Sequence, residues 1–235
     1  MDTANLKRQA AWRAVEFVES GMVVGLGHGS TAAFAVERIA ELLRAGELKD
    51  ILCVPCSEEV ARHAERLGIP LTTLDESPSI DLTIDGADEV DAEMNLIKGG
   101  GGALLREKIV AGASAREIIV IDGSKLSLHF GERFALPVEV VPFGWTVETA
   151  ALESLGAHVL RRGGDDPFLT DQRNYILDCD FGPIDCPSEL ASRLDARPGI
   201  VAHGLFVDLA TDLVVASESG VRHFAKGESL SEVIP

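Results

Sequence analysis

The chain has 235 residues, 46% of them hydrophobic, and a formal net charge of −17, enough apolar material for one α/β domain or one domain carrying a small second unit. No basic patch or stripe is visible, which argues against a general nucleic-acid binder, and no apolar run reaches the ~18–20 residues of a membrane span. Residues 1–13 mix charges with alanine and lack the apolar core of an export signal, so a soluble, cytoplasmic protein is expected, without nucleic-acid or membrane partners.

Leu6 to Val18 has apolar residues at helical spacing, with Lys7, Arg8 and Glu19 on other faces. Gly21 ends that helix, and Met22-Val23-Val24 begins a short buried strand. Gly25-Leu26-Gly27-His28-Gly29-Ser30-Thr31 follows, then a helix from Ala32 to Leu43. Strand, glycine loop and helix N-terminus make a seat for phosphate, because unpaired N–H groups and the positive end of the helix dipole face the anion. Ser30 stands where the dinucleotide fingerprint needs its third glycine, and no P-loop lysine follows. A smaller phosphate, met by the hydroxyls of Ser30 and Thr31, fits better than a dinucleotide; a plain strand-to-helix turn is the bland alternative.

Ile51 to Val54 reads as a strand, Ser57 as an N-cap, Glu58 to Leu67 as a helix ended by Gly68, and Ile69 to Leu74 as a further strand. Ile80 to Ile84 is a strand that delivers Asp85 to a carboxyl rim, where open α/β sheets place ligands. Ala103 to Ala113 is a helix, and Glu117 to Ile121 a strand ending at Asp122-Gly123-Ser124-Lys125, which makes Lys125 a second candidate anion ligand. This alternation predicts a parallel sheet covered on both faces, three layers in all. After Ser127 the rhythm changes. Strands at 136–141, 158–161 and 175–179 and helices at 145–155 and 188–194 supply the first five elements of the order strand, helix, strand, strand, helix, strand, and suggest a smaller ferredoxin-like α+β unit. Leu205-Phe206 and Leu213 to Ala216 are expected to return strands to the first sheet.

The chemistry concentrates between Thr83 and Glu107. Asp85 and Asp88 lie three apart across Gly86-Ala87, so one tight turn brings two carboxylates together, and close like charges push their protonation equilibria apart. Lys98 precedes Gly99-Gly100-Gly101-Gly102, where backbone N–H groups can approach a ligand closely. Glu107 falls near the start of the following helix and would face back toward that loop. The bland reading has the aspartates capping a turn beside a flexible loop, with Glu107 pairing locally in solvent. Of the four cysteines, Cys53 and Cys56 match C-x-x-C, but Cys179 and Cys186 are too far apart to complete a zinc ribbon. Cys53 sits in an apolar strand and reads as a small hydrophobe.

Taken together these pieces resemble the A-type ribose-5-phosphate isomerases. The resemblance is carried by Gly25-Leu26-Gly27-x-Gly29-Ser30-Thr31-Ala32, Ile84-Asp85-Gly86-Ala87-Asp88-Glu89 and Lys98-Gly99-Gly100-Gly101-x-Ala103-Leu104-x-Arg106-Glu107-Lys108. Asp122-x-Ser124-Lys125, Leu136-Pro137-Val138-Glu139-Val140, Gly199-Ile200-Val201 and Gly204-Leu205-Phe206 continue it in order over nearly the whole chain. It implies a Rossmann-like catalytic domain (residues 1–127 and 205–235), a smaller α+β domain (128–204), and a homodimer or larger homo-oligomer. It also implies interconversion of ribose 5-phosphate and ribulose 5-phosphate in the non-oxidative pentose phosphate pathway, with no metal or organic cofactor. Residue by residue, Glu107 matches the family's catalytic base, Asp85 and Asp88 the acidic loop, and Lys98 its lysine; these four are the implied catalytic set, with Asp85 expected to assist ring opening and oxygen proton transfer. The implied substrate-binding set is Gly27, His28, Gly29, Ser30 and Thr31, then Asp85, Gly86, Ala87 and Asp88, then Lys98, Gly99, Gly100 and Gly101, with Lys125. His28 departs from the threonine usual in the family, and Cys56 stands where a hydroxyl residue is common. Two other functions use the same parts: an amino-sugar-phosphate deaminase–isomerase, and a non-catalytic sugar-phosphate sensor.

Overall fold

Two strands at the centre of the protein send alternate side chains into two different cores, and the layering follows from that. The computed structural model describes residues 2–231 and 233; the outermost residues of the first expected domain, 1, 232, 234 and 235, lie outside them. In chain order the elements are α1 (Thr3–Val15), β1 (Val23–Leu26), α2 (Ala32–Ala45), β2 (Leu52–Pro55), α3 (Glu58–Leu67), β3 (Leu82–Asp85), β4 (Glu89–Val90), β5 (Leu96–Ile97), α4 (Leu104–Gly112) and β6 (Glu117–Asp122). After a 3₁₀ turn at Gly123–Lys125 come β7 (Leu136–Val140), α5 (Trp145–Ser154), β8 (His158–Arg161), β9 (Tyr175–Asp180), α6 (Pro187–Asp195), β10 (Ile200–His203), β11 (Leu205–Phe206), β12 (Asp212–Ser217) and β13 (Gly220–Ala225).

The main sheet has the order β13-β12-β6-β3-β1-β2, parallel throughout except for the antiparallel edge strand β13. On β6 and β12, Ile118, Val120, Val214 and Ala216 join a core with Ala10, Ala14 and Ile39 from the helices of one face. Ile119, Ile121, Leu213 and Val215 join a second core with Leu96, Ala111 and Phe206. Strands buried on both faces therefore read as unbroken apolar runs. The chain steps from β1 outward to β2, then returns to the other side of β1 for β3. The carboxyl ends of β1 and β3 thus flank the switch point, where an open sheet leaves a crevice.

The smaller sheet runs β10-β7-β9-β8, antiparallel throughout, which is the ferredoxin-like arrangement that the element order predicted. Helix α4 packs against β7 and β10 of this sheet. Its Leu104 joins Ile176 and Ala202 there, while its Val110 and Ala111 belong to the two cores of the main sheet. One helix is thus shared by both sheets.

Two expected strands turn out differently. Ile69 to Leu74 makes only an isolated bridge, Leu71 to Cys53. Pro70 has no N–H to donate, and Thr72 Oγ1 turns the chain through bonds to Glu76 and Ser77. Leu205–Phe206 does not return to the main sheet; it pairs antiparallel with β5 in a separate three-stranded sheet, β11-β5-β4. The segment is tethered there because Gly204 accepts from Lys98 N–H at 2.9 Å and donates to Pro137 O at 2.7 Å. The other tail strand, β12, pairs parallel with β6 as expected. The sequence pattern predicts neither strand β13 nor the hairpin β4–β5.

Ile119 is fully buried at the centre of the second core. Truncating it to alanine should cost about 2–5 kcal/mol, read as a lower urea midpoint with an unchanged slope.

Candidate active site

At the carboxyl ends of β1 and β3 the backbone of one strand meets the side chain of the other. Gly27 N–H donates to Ile84 O at 3.0 Å, and a Cβ at Gly27 would run into the carboxylate and Cα of Asp85. That close approach requires glycine. Asp85 is only 1% exposed; its Oδ1 accepts from the N–H groups of His28 at 2.9 Å and Gly86 at 2.7 Å, and its Oδ2 lies 3.0 Å from Lys98 Nζ.

Lys98 follows β5 and is 2% exposed. Besides Asp85, its ammonium donates to Glu107 Oε1 at 3.1 Å and to the carbonyl of Gly86. Three donors thus meet three acceptors. Phe206 lies under the same ammonium, with the ring centre 5.4 Å away. Glu107 enters from the first turn of α4 and is 5% exposed. Its Oε2 is buried and has no hydrogen-bond partner among the described residues.

These contacts shift the protonation equilibria. Burial pushes the Glu107 carboxyl up, the Lys98 charge pulls it back and Asp85 pushes it up again, leaving it at about 8. Burial lowers the Lys98 ammonium, but Asp85 and Glu107 outweigh that and hold it above its ordinary value. A third acid lies behind the pair: Glu117, at the start of β6, is buried with neither oxygen partnered among the described residues. Burial raises it well above the carboxylate range, which favours its neutral form. Cys56, Asp85 and Glu107 each bring a ligand-type atom within 4.8 Å of the others. The Lys98 ammonium already lies against both carboxylates, and burial followed by the nearby acids raises the thiol well above its usual range. That donor set suits an ammonium better than a metal ion. Cys53, Cys56 and Cys179 are free and buried, and Cys186 is free and exposed.

A pocket of about 100 Å³ opens over this cluster. His28, Gly29, Ser30, Thr31, Gly86, Ala87, Asp88, Lys98, Gly99, Gly100, Gly101, Glu107 and Lys125 all line it. Gly27 and Asp85 do not; they sit one layer behind. Asp88, more open than Asp85, accepts from Gly100 N–H at 2.8 Å. The imidazole of His28 bonds through Nδ1 with Ser57 Oγ at 3.0 Å and packs against Gly101. Sequence reasoning missed Lys7, whose Nζ donates to Ser30 Oγ at 2.9 Å and which also lines the pocket. On an amphipathic helix it looks like any surface lysine, and only the packing of α1 against α2 reveals it.

A lysine between two acids, a carboxylate oxygen left free, and a far side lined by cations and hydroxyls define the class: an acid–base site for a small anionic molecule on a doubly wound sheet. Comparison with known proteins gives the family. The family model for ribose 5-phosphate isomerase A (phosphoriboisomerase A) matches residues 52–220. Ribose-5-phosphate isomerase A of Chloroflexus aurantiacus is 59% identical over 223 residues, covering 94% of this chain and 93% of that protein. The Desulfatibacillum aliphaticivorans protein of the same name is 54% identical over 219 residues, 92% of this chain and 95% of its own. Among solved structures, a D-ribose-5-phosphate isomerase in complex with phospho-erythronic acid superposes with a TM-score of 0.94 at 37% identity, over 96% of this chain and 100% of that one. The ribose 5-phosphate isomerase from Plasmodium falciparum gives 0.92 at 40% identity, with the same coverage. The chain belongs to the ribose 5-phosphate isomerase A family.

Replacing Lys98 with methionine would leave buried acids without their counter-charge, which should cost about 3–5 kcal/mol near neutral pH. A carboxyl whose folded pKa exceeds its unfolded value loses stability as pH rises between the two. The deficit of Lys98→Met in urea melts should therefore be larger at pH 8 than at pH 5; equal deficits would count against the buried cluster.

Proposed function

We propose that the protein interconverts D-ribose 5-phosphate and D-ribulose 5-phosphate as an aldose–ketose isomerase of the non-oxidative pentose phosphate pathway. The observation that carries this reading is the free, buried Oε2 of Glu107, at the pocket and beside the Lys98 ammonium. The family membership and the high identity to named isomerases support the substrate. So does the phospho-erythronic acid in one related structure, whose carboxylate resembles the paired oxygens of an enediolate.

In the open-chain aldose, Glu107 takes the C2 proton and the electron pair moves into an enediolate over C1 and C2. The same carboxyl returns the proton to C1, while one proton passes from O2 to O1, giving the ketose. Lys98, with N–H groups of the glycine loop, stabilises the developing oxyanion, often the largest single catalytic contribution. Asp85, expected from the sequence to assist ring opening and oxygen proton transfer, has its oxygens engaged and in this reading acts through Lys98, keeping it charged and aimed. Asp88, at the pocket surface, holds sugar hydroxyls. Ser30, Thr31, Lys7 and Lys125 take the phosphate, with the N-terminus of α2 behind them. The conversion is redox-neutral, so the reading calls on no organic cofactor.

The reading extends to a cytoplasmic homodimer or larger assembly and to a division into residues 1–127 with 205–235 and residues 128–204. The resemblance supports the assembly, as does the 94% exposure of Phe143. The confinement of β7 to β10 to one sheet supports the division. Among the described residues no helix is long and apolar enough to cross a membrane.

Glu107→Gln should lower kcat about 10²–10⁴-fold in cofactor-free conversion of ribose 5-phosphate while the fold persists; near-full turnover would remove Glu107 from the role of base. Phosphate-ester binding without turnover in the wild type would indicate a sensor, and ammonia release from an amino-sugar phosphate a deaminase–isomerase. Because the base works ionised and its carboxyl sits at about 8, kcat/KM should fall on the acid side with an apparent pKa near that value. A limb near 4.5, the ordinary carboxyl value, would contradict the assignment.

A further inference from the structure

The glycine loop between Lys98 and α4 is gripped from the smaller sheet. Arg162, just past β8, donates through Nη1 to the carbonyls of Gly99 at 3.0 Å and Gly100 at 3.2 Å. The other edge of the same guanidinium meets Asp178 of β9, Nε to Oδ2 at 3.0 Å and Nη2 to Oδ1 at 2.5 Å, the two-pronged pairing that fixes a guanidinium plane. Its carbon lies 5.8 Å over the ring of Phe168, and that ring fills the space a side chain at Gly102 would need. Both Arg162 and Asp178 are half-buried.

The consequence is directional. Across a trans peptide bond, the C=O of one residue and the N–H of the next point opposite ways, and no peptide bond among the described residues is cis. Holding Gly99 C=O toward Arg162 turns the Gly100 N–H away from it, where it donates to Asp88 Oδ2 at 2.8 Å. Holding Gly100 C=O the same way turns the Gly101 N–H away from Arg162. That N–H has no acceptor among the described residues, and Gly101 lines the pocket.

We infer that Arg162, braced by Asp178, is a positioning residue that sets the peptide planes of the glycine loop. It holds Asp88 through Gly100 and leaves the Gly101 N–H for the oxyanion of the reaction. This rests on the isomerase reading given above. A lysine could not replace it, because an ammonium has no plane with which to span a carboxylate and two carbonyls.

The test compares R162A, R162K and D178N with the wild type. Expected for R162A is a fall in kcat on the order of 10²-fold, the scale of a small misplacement of catalytic groups. KM should change little and guanidinium added to solution should restore part of the loss. R162K should resemble R162A, and D178N should show a smaller loss in the same direction. By calorimetry, R162A should bind inorganic phosphate as the wild type does, since Lys7, Ser30, Thr31 and Lys125 lie on other elements, while its affinity for phospho-erythronic acid falls. Amide exchange at Gly100 and Gly101 should quicken in R162A and D178N. An unchanged kcat in R162A overturns the inference, as does a loss that tracks the folded fraction and takes phosphate affinity with it. If R162A fails to fold, D178N with unchanged kcat and unchanged exchange overturns it as well. Should the wild type turn over no ribose 5-phosphate while exchange at Gly100 still quickens in R162A, the isomerase reading fails and the clamp stands.

Discussion

An ammonium group taken out of water must be solvated by the protein, and around Lys98 this one condition organises the rest of the structure. Its three donors are met by Asp85 from β3, Glu107 from α4 and the carbonyl of Gly86 from the turn between β3 and β4. Each partner comes from a different element, so the two strands, the turn and the helix must arrive together. Isolated burial of such a charge would be prohibitive; pairing with acids at about 3 Å makes it tolerable. The same pairing leaves Glu107 with one oxygen committed to Lys98 and one without a partner among the described residues.

The neighbours of this cluster are arranged to keep it dry and poorly compensated. Asp85 is sealed by backbone N–H groups, Glu117 is buried in the layer behind, and the side of Phe206 closes the floor. Three acids facing one lysine cannot all be charged cheaply, so Glu117 is driven toward its neutral form and Glu107 toward a basicity well above that of an ordinary glutamate. The far side of the pocket is built on other principles: two half-buried lysines, two hydroxyls and a helix N-terminus. Cations and hydrogen-bond donors are thus gathered locally on a chain whose overall charge is −17.

Much of this was legible in the sequence because it depends on short-range pattern. The continuous apolar runs of β6 and β12 announced strands buried on both faces, Ser57 announced the start of α3, and the element order announced the smaller sheet. The dense motif from Asp85 to Glu107 placed the site residues on one pocket, Asp85 and Gly27 lying just behind its wall. What escaped notice depends on where distant segments meet. Lys7 and Arg162 look like surface cations until α1 and β8 are set against the loops they serve. The hairpin β4–β5 is too short to show a period, with two residues in each strand, and Leu205–Phe206 chose this hairpin over the main sheet because of backbone bonds at Gly204 that no local pattern encodes. Ile69 to Leu74 had the right apolar content for a strand, but Pro70 and the Thr72 turn limit its pairing to one bridge.

Helix α4 packs on both sheets at once, with Leu104 and Leu105 on one side and Val110 and Ala111 on the other. The location of Glu107 is therefore a property of the seam between two layers, owned by neither. A shear between the sheets too small to disturb either core would still displace the carboxylate relative to Lys98 and the pocket. In an isomerase, the difference between C1 and C2 is one bond length. Rigidity of that seam, more than the stability of either half, is what the chemistry demands of the rest of the chain.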